Sequence, residues 1–536
     1  MNRSYLFLYL FLFALCQSCR TTENAFSPDR KYSPEQLRGD YTLFRNILED
    51  MHPSLYWYCT RDSMNYYFAR GYARLNDSMT EPQFRSVLSF VISRIDCGHT
   101  SVRFSKDYSK YLDTAHRPSF PLIMKCWNDT MVVSINLNRS DTILKRGTIV
   151  ESINGHSVPE MIDTFFNYFV TDGYSQTGKY QYLSNGLNFA NWYPAIYGDT
   201  SAFVVKYLDA DSQEKQTIVP LYDPRADTNR RLFRNRLIPR HESKRSRKAI
   251  DAFLTRNLQI DTGSHAGFMT LTTFEHGNHL RKFFRQSFRT LSEKQIPNLV
   301  IDLRSNGGGD ASFSTLLTRY IIDRKFKLAD SLYALHKHSR YDKYIDKSFL
   351  YRLLMDVVTS KRSDGKYHFG YFERHYYSPR SKYHYDGQVY LLTGGNSFSA
   401  TTLFAGTVKG QKNVTIVGEE TGGGFYGNTA WMIPDVTLPN TGIRFRLPRF
   451  RLVVDRTREK NGRGVLPDVP ALPTVEDIGK GLDFKAMKVK ELIQLRAAMH
   501  TASGSSGLGP SGPGAAGPGA AGAPAVGAGS QAQQRK

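Results

Sequence analysis

Cysteine is scarce, with five in 536 residues. Only Cys59, Cys97 and Cys126 lie beyond the first twenty positions, and no two of these have metal-ligand spacing. An odd number cannot all pair within one chain. A Cys59–Cys97 bridge in an oxidising compartment and three reduced, buried thiols both fit the sequence. Long apolar runs are also lacking. Residues 5–15 are apolar, but that is short for a permanent membrane span, and no later segment is longer. Acidic residues are under-represented, 49 Asp and Glu against 71 Lys and Arg, for a formal charge of +22. The excess gathers in residues 225–248 and again in residues 337–382. It reads as a solvated basic surface, or as one facing an anionic membrane or an acidic substrate.

What is present starts with a leader. Met1-Asn2-Arg3 is a short basic segment before the apolar run, and Ser18 precedes Cys19. This resembles a bacterial lipoprotein signal, residues 1–19, with Cys19 as the acylated residue. Position −3 is Cys16 rather than leucine, so acylation at Cys16 and plain secretion are the alternatives. Either way the chain is expected to be exported. The resemblance implies a lipid anchor in the bacterial envelope, facing periplasm or surface, and export argues against a nucleic-acid partner. At the other end, residues 497–536 become almost wholly Gly, Ala, Pro, Ser and Gln from Thr501 on. That composition buries too little apolar surface to offset its ordering entropy, and disorder is expected.

Apolar content of 40%, with 13% aromatic residues, supports a real core between these ends. The fold class expected is multi-domain α+β. Residues 30–117 read as a helical domain. Ser33-Pro34-Glu35-Gln36 and Thr80-Glu81-Pro82-Gln83 each place a cap residue before a proline, and apolar residues follow at helical spacing. Residues 118–222 read as β-rich. There Gly147 precedes the strand-like Thr148-Ile149-Val150 and the turn Ile153-Asn154-Gly155. This resembles a PDZ module, which binds peptides by adding a strand to a sheet edge. Residues 223–260 read as a basic linker. From 261 to 496 apolar runs alternate with helical segments, the pattern of an α/β layer core, with residues 325–385 as an insertion.

Two segments of that core carry chemistry. Leu299-Val300-Ile301-Asp302-Leu303-Arg304-Ser305-Asn306-Gly307-Gly308-Gly309 is an apolar strand ending in a glycine turn, whose backbone N–H groups no Cβ shields. Gly395-Asn396-Ser397-Phe398-Ser399-Ala400-Thr401 places a serine at the start of a helix. Together they suit an oxyanion hole and a nucleophile.

With Asp96-Cys97-Gly98-His99-Thr100 before them, and Val417-Gly418-Glu419-Glu420-Thr421-Gly422 and Gly464-Val465-Leu466-Pro467-Asp468 after, the order resembles the C-terminal processing (tail-specific) and tricorn-core serine proteases. The resemblance implies a ClpP/crotonase-like α/β core and a serine endopeptidase that acts on extended peptides or unfolded chain ends. It implies no metal or organic cofactor. Ser399 falls at the nucleophile, with Ser397 as fallback. One branch of the family takes its base from a lysine after the serine, but residues 421–427 contain none. The other branch uses a histidine, and His99 stands in that place. Imidazole titrates near neutrality and suits general-base work. Gly307, Gly308 and Ala400 fall at the oxyanion hole. The third catalytic member, a glutamate in the histidine branch, is replaced by Asn461, with Glu459 close by. Asparagine can orient an imidazole but supplies no charge. A catalytically weak peptide- or lipid-binding protein on the same fold, or an esterase or amidase, is therefore the alternative. Asp302 with Arg304 is expected to brace the glycine turn, and His52 to fix a helix end.

Overall fold

The Ser33 cap works as its sequence suggests. Gln36 Oε1 accepts the Ser33 N–H at 3.0 Å, Ser33 Oγ accepts the Gln36 N–H at 3.4 Å, and Pro34 opens the helix Pro34–Met51. The protein is described here by a computed structural model, which covers residues 26–115, 117–227 and 243–505. The leader, with Cys16 and Cys19, and the chain beyond residue 505 lie outside the described residues. Among the described residues no helix is long and apolar enough to cross a membrane.

Leu37, Tyr41, Phe44, Ile47, Leu48 and Met51 form the buried face of the first helix. They pack with Phe84, Val87, Leu88, Val91 and Ile92 of the helix Glu81–Ser93. This core is not closed by the N-terminal segment alone. Val436, Leu438, Ile443, Phe445 and Leu447 complete it, and the strand Val102–Arg103 pairs with Arg444–Arg446. Buried Asp40 ties the two together. Its carboxylate accepts the N–H groups of Asn440 and Thr441 and the Thr441 hydroxyl. The segment expected as a separate helical domain thus shares its core with the far end of the chain.

Residues 122–220 form an antiparallel sheet. Its order runs Leu122–Trp127, Thr130–Asn136, Ile149–Ile153, Ala202–Leu208, Glu214–Pro220, with the short strand His156–Ser157 beside Ile149–Ile153. Asn154 and Gly155 both take positive φ (50° and 85°), the hairpin geometry an Asn-Gly pair favours. Between the helices Val158–Phe166 and Thr177–Ser184 runs a loop that carries Asp172.

The main sheet has the order Arg256–Asp261, Ala266–Leu271, Asn298–Asp302, Gln388–Thr393, Val414–Gly418, Val469–Pro470. The first pair is antiparallel and the rest are parallel. Its inner strands are almost continuously apolar because helices such as Leu280–Glu293 and Ala400–Val408 pack against them.

Three expectations are corrected here. The described part of the basic linker is not a linker, because Lys244–Thr255 is helical and Arg256–Asp261 is an edge strand of the main sheet. Sequence reasoning missed that strand because its alternation is weak and its pairing partner lies ten residues on, past a turn. Residues 325–385 are woven into the core rather than inserted in it. Ser331–Ala334 pairs with Phe450–Val453, which pairs with Gly427–Ala430, in a five-stranded antiparallel sheet. The helix Phe484–Ser505 runs into the segment expected to be disordered. The chain up to Lys490 forms one compact unit and Glu491 onward a second. Cys59, Cys97 and Cys126 are free thiols, and burial raises Cys97 to about 11 and Cys126 to about 12.

Candidate active site

The glycine turn and the serine turn leave the carboxyl ends of neighbouring parallel strands, Asn298–Asp302 and Gln388–Thr393. Open α/β sheets bind ligands at such ends. Asn306 joins the two turns. Its side chain donates to Leu271 O at 3.0 Å and accepts from Gly308 N (2.9 Å) and Thr401 Oγ1 (2.7 Å), while its carbonyl accepts Phe398 N–H at 3.2 Å. Asp302 and Arg304 pair at 2.6 Å, and Arg304 also reaches Asp483, which fixes the strand end below the turn.

Between these anchors Ser399 adopts φ 56°, ψ −121°, a strained conformation for a residue with a side chain. The strain lifts Ser399, which is partly exposed, onto a cavity of about 460 Å³ lined also by Gly309, Ala400, Leu403, Trp431 and Arg446. Ser397 has no such freedom. It is fully buried, donates to Leu303 O at 2.8 Å and accepts from Gly394 N at 3.1 Å. The fallback serine is therefore a structural pin.

The oxyanion expectation needs a correction at Gly308. Its N–H is spent on Asn306 Oδ1, and Gly307 does not line the cavity. Among the described residues no hydrogen bond occupies the N–H of Gly309 or of Ala400, and both residues line the cavity beside Ser399. Ala400 N–H is a first-turn helix donor, which has no intrahelical partner. Gly308 acts through proximity. A Cβ there would stand 2.7 Å from Ser399 Cβ and 2.8 Å from Phe398 O, at φ +101°. Gly308→Ala is expected to cost roughly 2–4 kcal/mol of stability through strain and overpacking. It should also cut peptidase activity about 100-fold by displacing Ser399. Urea titration and kcat/KM on one peptide check both.

His99 stands on a turn after the N-terminal helices, where Thr100 N–H bonds to Cys97 O at 3.1 Å, and it is not among the residues that line the Ser399 cavity. Its ring lies 4.6 Å from that of Phe398, the neighbour of Ser399. Among the described residues neither ring nitrogen has a hydrogen-bond partner. Burial pushes the imidazole down to about 3, so it is neutral throughout the neutral range. The carboxylate beside it is not the expected one. Asp172 Oδ1 lies 4.0 Å from His99 Nδ1. It accepts the Gly98 N–H at 2.8 Å, and Oδ2 accepts the Gly424 N–H at 3.4 Å. Burial raises Asp172 to about 6, against the pull of those N–H groups and of Arg451.

Asn461 and Glu459 are exposed and bond to each other at 3.1 Å, while Asn461 Oδ1 also accepts the Arg463 N–H. The structure therefore sets Asp172, and not Asn461 or Glu459, against the imidazole. No motif flags Asp172, which sits in a polar loop far from every catalytic signature. Its loop is stitched in by tertiary bonds alone, with Gly173 N–H to Asp96 O (2.9 Å) and Tyr174 N–H to Gly462 O (2.8 Å). His52 is a positioning group. Its Nδ1 accepts the Ser54 N–H at 3.2 Å, so Nε2–H donates to Thr100 Oγ1 at 2.8 Å and holds the His99 turn.

The model of peptidase family S41 matches residues 265–471, the segment that carries both turns and Ser399. The core of this chain is a family S41 peptidase domain. The protein is accordingly a serine-type peptidase. Among solved structures, mature CPAF is similar at 15% identity over 86% of this chain and 97% of that one, with a TM-score of 0.58. Mature CPAF complexed with lactacystin is similar at 13% identity over 87% and 98%, also with a TM-score of 0.58. At these identities the likeness shows a shared fold. No curated protein matches the chain. The S41 segment begins and ends inside the main sheet, and His99 and Asp172 lie outside the matched residues.

Proposed function

We propose that this S41 peptidase cleaves extended peptides or unfolded chain ends through a Ser399–His99 acyl-enzyme mechanism. Ser399 Oγ attacks the peptide carbonyl and His99 takes its proton. Asp172 stabilises the imidazolium, and the Gly309 and Ala400 N–H groups receive the oxyanion. His99 then protonates the leaving amine, and water resolves the ester. The observation that carries this reading is the strained Ser399, which shares one cavity with two unengaged backbone N–H groups while Ser397 is locked away. The unpaired imidazole is compatible with a base whose bond to the nucleophile tightens only in the substrate complex. The antiparallel sheet of residues 122–220 supports a PDZ-like peptide-docking role, with its outer strands Leu122–Trp127 and Glu214–Pro220 as edges.

The test is cleavage of an unstructured protein by the purified mature chain, with Ser399→Ala in parallel. Loss of cleavage in the variant supports the mechanism, and survival of cleavage overturns it.

The lipoprotein-type leader further supports an envelope location with Cys19 acylated. Incorporation of radiolabelled palmitate that disappears in Cys19→Ala is the expected outcome. Equal labelling of the variant would refute the anchor.

A further inference from the structure

The cavity beside Ser399 has an apolar wall of Leu328, Phe372, Leu403, Trp431 and Met432. Polar residues interrupt it, among them Arg446 and Asn428, which the chemistry above does not use. Arg446 is part-buried. Its guanidinium makes no hydrogen bond or ion pair among the described residues, and its Nε is buried without a partner. The acidic residue nearest in its field, Asp435, is instead paired with Arg103 at 3.1 Å and with Arg444 at 3.5 Å. Asp310, also on the cavity wall, is held by His276 at 2.6 Å and by the Ser312 N–H. Asn428 is almost wholly buried and its Oδ1 has no partner among the described residues, but that atom is an acceptor and offers a carboxylate nothing.

Leaving a part-buried cation unpaired is unfavourable. Native proteins seldom retain unsatisfied buried polar groups without a role for them. Arg446 lines the cavity that holds the nucleophile. A guanidinium presents a planar fork that matches a carboxylate with two parallel bonds.

We infer that Arg446 is a carboxylate-recognition subsite that selects substrates carrying an anionic group next to the scissile bond. The inference rests on the peptidase reading of Ser399 and names the substrate class of that site. The apolar wall takes the methylene stem and Arg446 takes the charge. A Glu side chain and a free chain-terminal α-carboxylate share this chemistry, and the experiment separates them.

Two sets of fluorogenic peptides are needed. One differs only by Glu or Gln beside the cleaved bond, and the other by a free or amidated C-terminus a residue or two beyond it. With wild type, the carboxylate member of one set is expected to be cleaved about 10- to 100-fold faster in kcat/KM, and the set that responds identifies the source. Arg446→Gln should erase the preference by slowing only the carboxylate substrate, chiefly through KM, and Arg446→Lys should restore part of it. Equal loss on both members of each pair would overturn the inference, as would a wild-type preference for Gln and amide.

Binding of the same peptides to Ser399→Ala, read by fluorescence anisotropy, needs no turnover. Carboxylate-dependent binding that vanishes in Ser399→Ala/Arg446→Gln upholds the subsite even if wild type cleaves nothing, an outcome that would sink only the peptidase reading. Binding indifferent to the carboxylate overturns the subsite.

Discussion

Ser399→Ala and His99→Ala each lower kcat/KM on an unfolded protein substrate by about 10⁴-fold or more, while the circular dichroism spectrum stays that of the wild type. The magnitude follows from what each group supplies. Without Oγ no acyl-enzyme forms, and residual turnover depends on the oxyanion N–H groups and binding alone. Without the imidazole the hydroxyl has no base, since residues 421–427 offer no lysine and His52 is tied to Thr100 and Ser54. The double variant is expected to be no worse than either single one, because nucleophile and base act as a unit. Near-additive losses would show that His99 supports the fold and not the proton transfer. No cleavage by the wild type over a broad substrate set would favour a binding protein on this fold.

Asp172→Asn is expected to slow the enzyme and stabilise it at the same time. Asparagine keeps an oxygen for the Gly98 N–H, gives up the longer 3.4 Å bond from the Gly424 N–H, and cannot offset the charge of an imidazolium, so a loss of about 10²- to 10⁴-fold in kcat/KM follows. Burial holds Asp172 at about 6 in the folded chain, above its ordinary value of 3.8. A carboxyl raised on folding favours the folded state when protonated, and that advantage is lost as pH rises through about 6. At pH 7.5 the ionised Asp172 therefore costs the fold on the order of 3 kcal/mol, which the neutral amide removes. Wild-type kcat/KM should climb with pH to a plateau above about 6, with the limb belonging to Asp172, because His99 is already neutral there. Denaturant titration at pH 7.5 together with a pH–rate profile tests both halves. A variant that is slower and also less stable would contradict the assignment.

Much of the site was legible because its parts are local. A strand that runs into three glycines, and a serine one residue before a helix, are encoded within a dozen positions each. The Asn154-Gly155 hairpin and the Ser33 capping box follow from φ preferences and side-chain reach over two to four residues. His99 was found through its motif context, although the sequence does not say what faces its ring. The Gly308 donor was misassigned for a specific reason. Whether a glycine N–H is free depends on Asn306, whose side chain could as well have turned to solvent.

The sequence by itself determined the strand–turn–helix units, the apolar periodicity of the helices and sheets, the absence of a lysine from residues 421–427, and the order of the S41 signatures. Only the tertiary structure decided that Asp172 faces His99, that Ser397 is pinned, that residues 256–261 and 331–334 belong to sheets, and that Arg446 lies unpaired beside the nucleophile. The physical reason is the range of the forces involved. Backbone propensity, capping and amphipathic period act between near neighbours and leave a pattern in the chain. Burial, desolvation and long-range hydrogen bonding are properties of the space the folded chain encloses. They join residues whose sequence separation carries no period to read.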